Sequence, residues 1–225
     1  STPWTGPAGP RMREYVQTLR AIFQTFQSGT LTAFHGDYYR FDLMSPFFNP
    51  GPLPAGRQGN QSGHVPIYTS ALNPYLARMA GELSDGLRLH PLSSVAYVND
   101  VLLPAVEAGA RKTGRSLSDI EIVSMPFTIT GRTAAEVEAA RAQVRMHIAF
   151  YASTRTYHAV LRHHGWEEAG LKLHELSLQG RWPEMGQAVT DEMLDHFAVA
   201  GTYDEIMPRL KARWAGACDT VFIPL

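Results

Sequence analysis

The stretch between residues 65 and 90 carries the pattern of one β-α-β unit and constrains the fold of the whole chain. Residues 65–69 are almost all apolar, which is typical of a strand that is covered on both faces. Asn73 and Pro74 have the chemistry of a helix start. A turn then leads into a second apolar strand over residues 87–90. Such a unit predicts a parallel sheet covered by helices.

The remaining sequence continues this alternation within one domain, residues 1–225. Hydrophobic steps of three and four residues, together with capping residues, predict the helices. Apolar runs bounded by turn residues predict the strands. The predicted helices cover residues 11–28, 74–83, 94–113 with an interruption at Pro104, 133–151 and 202–215. The predicted strands are a hairpin of 31–34 and 38–43, then 65–69, 87–90, 120–130 and 220–223; residues 44–64 form a long excursion and 152–197 a broken helical insertion.

The composition indicates an ordinary globular protein. The 225 residues are 44% hydrophobic and 18% charged, with a formal net charge of −1. This balance gives no sign of a nucleic-acid partner. No apolar run approaches the roughly 20 residues that span a bilayer, so we expect no membrane association. Cys218 is the single cysteine, which excludes an internal disulfide and favours a cytoplasmic location.

The two ends suggest a piece of a larger protein. The sequence starts at Ser1 and stops at residues 220–225, inside the pattern of a core strand. A sheet of only the four later strands would leave two open edges, which favour self-association. We therefore expect a homo-oligomer if the chain stands alone.

The corner after the first strand of the unit is the main candidate binding site. Backbone N–H groups of Thr69, Ser70, Ala71, Leu72 and Asn73, with the hydroxyls of the first two, could hold a phosphate at the helix start. The alternative is an ordinary turn with a helix cap. No glycine-rich nucleotide motif is present in the sequence.

His90 is the second candidate, because it follows a strand at the edge where parallel barrels place their active sites. It could hydrogen-bond a cofactor ring or carry a proton, or it could be a loop histidine without such a role. Glu82 is expected to be structural and to pair with a nearby backbone group or an arginine on the helix side. We predict no metal site, because the densest histidine group lacks a consistent ligand spacing: His158, His163, His164 and His174.

Several motifs, in order along the chain, resemble the bacterial luciferase-like monooxygenase superfamily. Two more segments resemble its branch that uses the deazaflavin coenzyme F-420. The motifs that resemble the superfamily are Arg11–Phe23, Phe34-His-Gly-Asp-Tyr-Tyr-Arg40, Val65-Pro-Ile-Tyr68 with Leu76–Gly86, Ala198–Ile206 and Ala215–Val221. The segments that resemble the F-420 branch are Leu43–Pro52 and Leu89-His-Pro91.

The resemblance implies an α/β fold, a partial TIM-type (β/α)8 barrel. The chain would supply strands 5–8, with the preceding helix and a hairpin insertion, and the first four strands would lie before Ser1. In the family the loop after the fifth strand holds the cofactor phosphate, here residues 69–73, and His90 would lie near the cofactor ring. Leu72-Asn73-Pro74 stands where the family often has glycine, and Ser84 where it has alanine.

The expected function follows from the same resemblance. It implies an oxidoreductase or monooxygenase that transfers a hydride between F-420, or alternatively FMN, and a small organic substrate. The other possibilities are a flavin-binding half-barrel without turnover and a purely structural half-barrel. The resemblance does not identify the catalytic residues.

Overall fold

The computed structural model describes residues 7–52 and 64–223, in which helices and strands alternate. The helices are α1 (Ala8–Ser28), α2 (Pro74–Leu83), α3 (Val95–Tyr97), α4 (Leu103–Arg111), α5 (Ala134–Ala152), α6 (His158–His163), α7 (Glu167–Leu178), α8 (Trp182–Met185), α9 (Asp191–Phe197) and α10 (Tyr203–Trp214). The strands are β1 (Phe34–His35), β2 (Arg40–Phe41), β3 (Tyr68–Ala71), β4 (Gly86–Leu89), β5 (Glu121–Ser124), β6 (Phe127–Gly131), β7 (Ala198–Thr202) and β8 (Thr220–Val221). In this described part, no helix is long and apolar enough to cross a membrane.

Four parallel strands form the main sheet, in the order β3-β4-β5-β8. Residues that face the helices are buried, as at Leu87 and Ile122, which are register partners. Alternate residues point to the other side, where Tyr68, Ser70 and Arg88 are exposed. We call this side, with Tyr68, Ser70, Arg88 and Glu121, the open face. The prediction that these four strands are neighbours is confirmed.

The single strand predicted over residues 120–130 is wrong. Two strands are found, β5 and β6, separated by Met125 and Pro126. Proline cannot donate to a strand ladder, so it ends the pairing with the main sheet. Strand β6 then pairs in parallel with β7, a strand that the sequence did not predict. The region read as a broken helical insertion contains α6, α7, α8 and α9.

Two aspartates fix the amino ends of the parallel strands. The Asp85 carboxylate, just before β4, accepts the Ile67 N–H at 2.6 Å and an Arg20 N–H at 2.5 Å. The Asp219 carboxylate, just before β8, accepts the Ile122 N–H at 2.8 Å. Each carboxylate therefore joins its own strand to the neighbouring one and contributes to setting the register.

Helix α1 is tied to the sheet layer and to the hairpin by charged groups. Arg13 donates to both carboxylate oxygens of Glu82 at 2.5 and 2.9 Å, which confirms the structural role expected of Glu82. Glu14 accepts the backbone N–H groups of Asp37 and Tyr38, at the turn of the predicted hairpin β1–β2. The following excursion, residues 44–64, lies partly outside the described residues.

The helix predicted over residues 94–113 is interrupted as expected. A π-helical turn, Val98–Leu102, joins α3 to α4 immediately before Pro104. Proline has no N–H to return to the preceding turn, and a π-turn is a common way to accommodate such a gap.

Helices α2 and α4 touch through their backbones. A Cβ atom added at Gly81 would lie 2.0 Å from the Val106 carbonyl oxygen, and one at Gly109 would lie 1.9 Å from the Arg78 carbonyl oxygen. Both distances are far below van der Waals contact. The two glycines are therefore required for this crossing, which packs α2 and α4 onto the sheet.

We expect Gly109→Ala to destabilise the fold by about 2–4 kcal/mol, because backbone atoms cannot move aside as a side chain can. Urea unfolding measures the change. Ala108→Ser adds one atom at the neighbouring exposed position and should change stability by less than about 0.5 kcal/mol. Equal effects of the two substitutions would contradict the proposed crossing.

Asp85→Asn should also destabilise the protein, by about 2–4 kcal/mol, because Arg20 loses its charged partner. Burial raises the pKa of Asp85, but the Ile67 N–H, Arg20 and His64 outweigh burial and hold the pKa below its usual value. The stabilisation is therefore present above the ordinary aspartate pKa and is lost as the pH falls through the lowered one. The free energy of unfolding, measured with denaturant from neutral to acidic pH, should fall less steeply in the variant than in the parent protein. If it falls equally in both, Asp85 does not have this role.

Candidate functional site

The corner after β3 differs from its predicted form, because the strand continues to Ala71. The predicted contribution of the Thr69 hydroxyl is wrong. Its side chain is 9% exposed and faces the helices, where Oγ1 lies 3.0 Å from the Ser84 hydroxyl. The side chains of Ala71 and Leu72 are also buried. Of the predicted site residues 69–71 in this strand, Ser70 is the one whose side chain lies on the open face, on the same side as Tyr68.

The start of α2 leaves few free donors. The Asn73 side chain caps the helix by accepting the Leu76 N–H at 2.9 Å. Pro74 has no N–H, and the Ala77 N–H binds the Asn73 carbonyl. Within the described chain, the Tyr75 N–H is therefore the free donor of the first helical turn. A phosphate here would need further partners.

Arg88 provides such a partner, and sequence reasoning missed it. It is the register partner of Ser70 on the neighbouring strand β4, and both are exposed on the open face. The Arg88 guanidinium lies 5.6 Å from the centre of the Phe222 ring and forms no ion pair with any described residue. The alternation in Leu87-Arg88-Leu89 could have revealed it, since a charged residue between two apolar ones must face the opposite side of a strand.

Glu121, the carboxylate that the open face includes, has other partners. Glu121 accepts the Tyr68 hydroxyl and, at 2.8 Å, the Thr220 hydroxyl. The hydrogen bond to Glu121 raises the pKa of Tyr68 to about 12, so Tyr68 remains a neutral donor. The charge of Arg88 is therefore left uncompensated within the described residues.

His90 lies at the carboxyl end of β4, as predicted, and its protonation is defined by its surroundings. Its Nδ1 accepts the Leu92 N–H at 3.0 Å. Burial lowers the pKa of His90, so the ring is neutral at pH 7 and carries its proton on Nε2. The Nε2–H group has no acceptor among the described residues and can donate to a ligand.

Two tyrosines enclose His90, and no local sequence pattern indicates this contact. The Tyr151 and Tyr157 rings lie 4.8 and 4.6 Å from the His90 ring, measured between ring centres. Both come from the end of α5 and the turn after it, far from His90 in sequence. This contact places the helical segment after β6 over the carboxyl edge of the sheet.

The dense histidine group has separate partners rather than a common centre. His163 pairs with Asp100 at 3.2 Å, and the His174 Nδ1 lies 2.9 Å from the Ser153 carbonyl oxygen. His158 is buried, with its Nε2 unpartnered. Among the described residues, no three His, Cys, Asp or Glu side chains are placed to share a metal ion.

His164 connects this group to the loop after β4. It stacks on Trp166, with 4.6 Å between the ring centres. The Ser94 hydroxyl accepts the Tyr97 N–H at the start of α3 and is hydrogen-bonded to the His164 Nε2 at 2.7 Å. Burial, with the nearby His196 and His163, lowers the pKa of His164 to about 4. Neutral His164 therefore supports the loop that carries His90.

Comparisons with known proteins identify the family. Residues 7–220 match the family model of luciferase-like monooxygenases, and the chain belongs to this family, as its motifs predicted. An uncharacterised protein of Mycobacterium tuberculosis is 40% identical over 222 residues, which are 98% of this chain and 63% of that protein. The 5,10-methylenetetrahydromethanopterin reductase of Archaeoglobus fulgidus is 26% identical over 212 residues, 92% of this chain and 57% of the enzyme.

A solved structure confirms the fold class. The coenzyme F420-dependent tetrahydromethanopterin reductase of Methanopyrus kandleri superposes with a TM-score of 0.68 at 19% identity, over 94% of this chain and 57% of that one. The chain thus has an α/β fold that corresponds to part of a TIM-type barrel. It spans 57–63% of the length of these three proteins.

We expect stability to fall between about pH 6.5 and pH 4, because unfolded His164 takes up a proton at a higher pH than folded His164. His164→Phe keeps an aromatic ring beside Trp166 but cannot be protonated. Between pH 6.5 and pH 4 the variant should lose about 1–2 kcal/mol less stability than the parent protein, a value that is reduced because His164 is partly exposed to solvent. Urea unfolding at several pH values measures it, and identical pH slopes in both proteins would refute the role of His164.

Proposed function

We propose that this chain is the later part of an oxidoreductase that uses the deazaflavin coenzyme F-420, with FMN as the alternative cofactor. Membership of the luciferase-like family supports an oxidoreductase. The F420 dependence of the Methanopyrus kandleri reductase supports the choice of cofactor. The observation that carries the proposal is the grouping of Ser70, Arg88 and His90 on adjacent strands at the carboxyl edge of the sheet.

The anionic tail of the cofactor would lie at Ser70 and Arg88. The Ser70 hydroxyl and the Tyr75 N–H can donate neutral hydrogen bonds to it, and the Arg88 guanidinium can add a charged one. Asn73 shapes this corner through its cap on α2 rather than by direct contact. These groups fit an anion, because they are donors and Arg88 has no competing carboxylate among the described residues.

His90 would position the cofactor ring. Bound F-420 or FMN supplies the hydride chemistry, and His90 supplies a fixed Nε2–H donor. Its neutral state follows from burial and from the Leu92 N–H on Nδ1. Tyr151 and Tyr157 hold the imidazole in place and exclude water from it.

The partners and location complete the proposal. We infer a small organic substrate and a cytoplasmic enzyme. Self-association through the open edges of the main sheet remains a prediction, which light scattering would test.

Arg88→Gln should weaken F-420 binding at least tenfold, because a charged hydrogen bond contributes about 1.5–3 kcal/mol. Quenching of the cofactor's fluorescence by the 225-residue chain measures the affinity. Arg111→Gln is the matched control, since Arg111 is exposed on α4 and its one ion pair within the described residues is with Glu107. FMN is titrated in parallel. Binding of neither cofactor, or equal binding by both variants, would count against the proposal.

A further inference from the structure

A surface cavity of about 600 Å³ lies between β6 and α5, beside the carboxyl edge of the main sheet. Its volume falls within the range of small-molecule sites in proteins. All of its lining residues belong to the described part of the chain. Those on which the argument depends are Phe127, Thr128, Gln143, His147, Phe150 and Tyr151.

Aromatic rings form one wall of the cavity. The Tyr151 ring lies 6.0 Å from Phe127 and 5.4 Å from Phe150, measured between ring centres. Phe150 is 53% exposed and also contacts Trp182, with 6.3 Å between the ring centres. Such rings offer flat apolar surface to a ligand, and edge or face contacts with another aromatic ring are favourable.

Polar side chains also line the cavity. The side chains of Thr128, Gln143 and His147 form no hydrogen bond with a described residue, so they are available to a ligand. No Asp, Glu, Lys or Arg lines it. Four other cavities in the described structure each contain at least one such charged side chain. A charged ligand group would lose its hydration here without gaining a partner of opposite charge.

The cavity adjoins the His90 site. Tyr151 contacts the His90 ring and also lines the cavity. Pro91, the residue after His90, also lines the cavity. A molecule in the cavity would therefore be separated from His90 by one aromatic ring.

We propose that this cavity binds the organic substrate, and that the substrate is a neutral, flat, largely apolar molecule with a hydrogen-bonding group. The assignment of this cavity to the substrate rests on the oxidoreductase function proposed above. The binding chemistry stands on the lining alone. The anionic tail of the cofactor would lie at Arg88, and the uncharged molecule would lie on the other side of His90.

The test is titration calorimetry of the full chain without cofactor. The probes are 2-naphthol, which is neutral at neutral pH, and 2-naphthoate, its carboxylate counterpart. We expect 2-naphthol to bind at least about tenfold more tightly, because the carboxylate would be desolvated without a cation. Because no cofactor is present, failure of the F-420 proposal would not affect this result.

Two variants test the location. Ala140→Phe fills the cavity and should weaken 2-naphthol binding at least about tenfold, whereas Ala142→Phe, exposed on the same helix, should not. If Ala140→Phe fails to fold, Gln143→Trp takes its place, because it blocks the exposed rim of the cavity without entering the core. No binding of 2-naphthol, equal binding of 2-naphthoate, or unchanged binding in both blocking variants would overturn the proposal.

Discussion

The carboxylates of Asp85 and Asp219 determine how the parallel strands meet. Each lies just before its own strand and binds a backbone N–H of the neighbouring one. A one-residue slip would turn every side chain of a strand to the opposite face. The register that these aspartates help to set places Ser70 beside Arg88 and brings His90 to the carboxyl edge. The candidate site therefore depends on interactions at the far end of the same strands.

Charge is separated across this edge. On one side, the open face holds Arg88 without a described carboxylate partner, because Glu121 is occupied by Tyr68 and Thr220. On the other side, a cavity that no Asp, Glu, Lys or Arg lines opens next to Tyr151. His90 lies between them and is kept neutral by burial. Such a division would suit the anionic cofactor and the uncharged substrate proposed above.

Local chemistry made much of the fold predictable. The caps at Asn73, Thr133 and Thr202, and the hydrophobic spacing behind them, place α2, α5 and α10 close to their predicted bounds. The split of residues 120–130 was missed although Pro126 marks it, because Met125 and Pro126 alone separate the two strands, without a longer turn to mark the change of partner strand. Strand β7 was missed because its pairing with β6 is a long-range contact.

The site was less predictable for the same reason. Thr69 and Ser70 are adjacent in sequence, yet only the strand register decides which of them faces the helices. Arg88 could have been found from the alternation in β4. Tyr151 and Tyr157 could not, because nothing near them in sequence shows that their segment lies over His90.

The contact of α2 with α4 has a consequence for motion. Two backbones that touch at Gly81 and Gly109 have no side chains between them that could repack. We expect these helices and the strands beneath them to move together as one block. The described segment from α5 to α9, which carries the tyrosines, could then adjust around a ligand while the strand-borne Arg88 and His90 keep their positions.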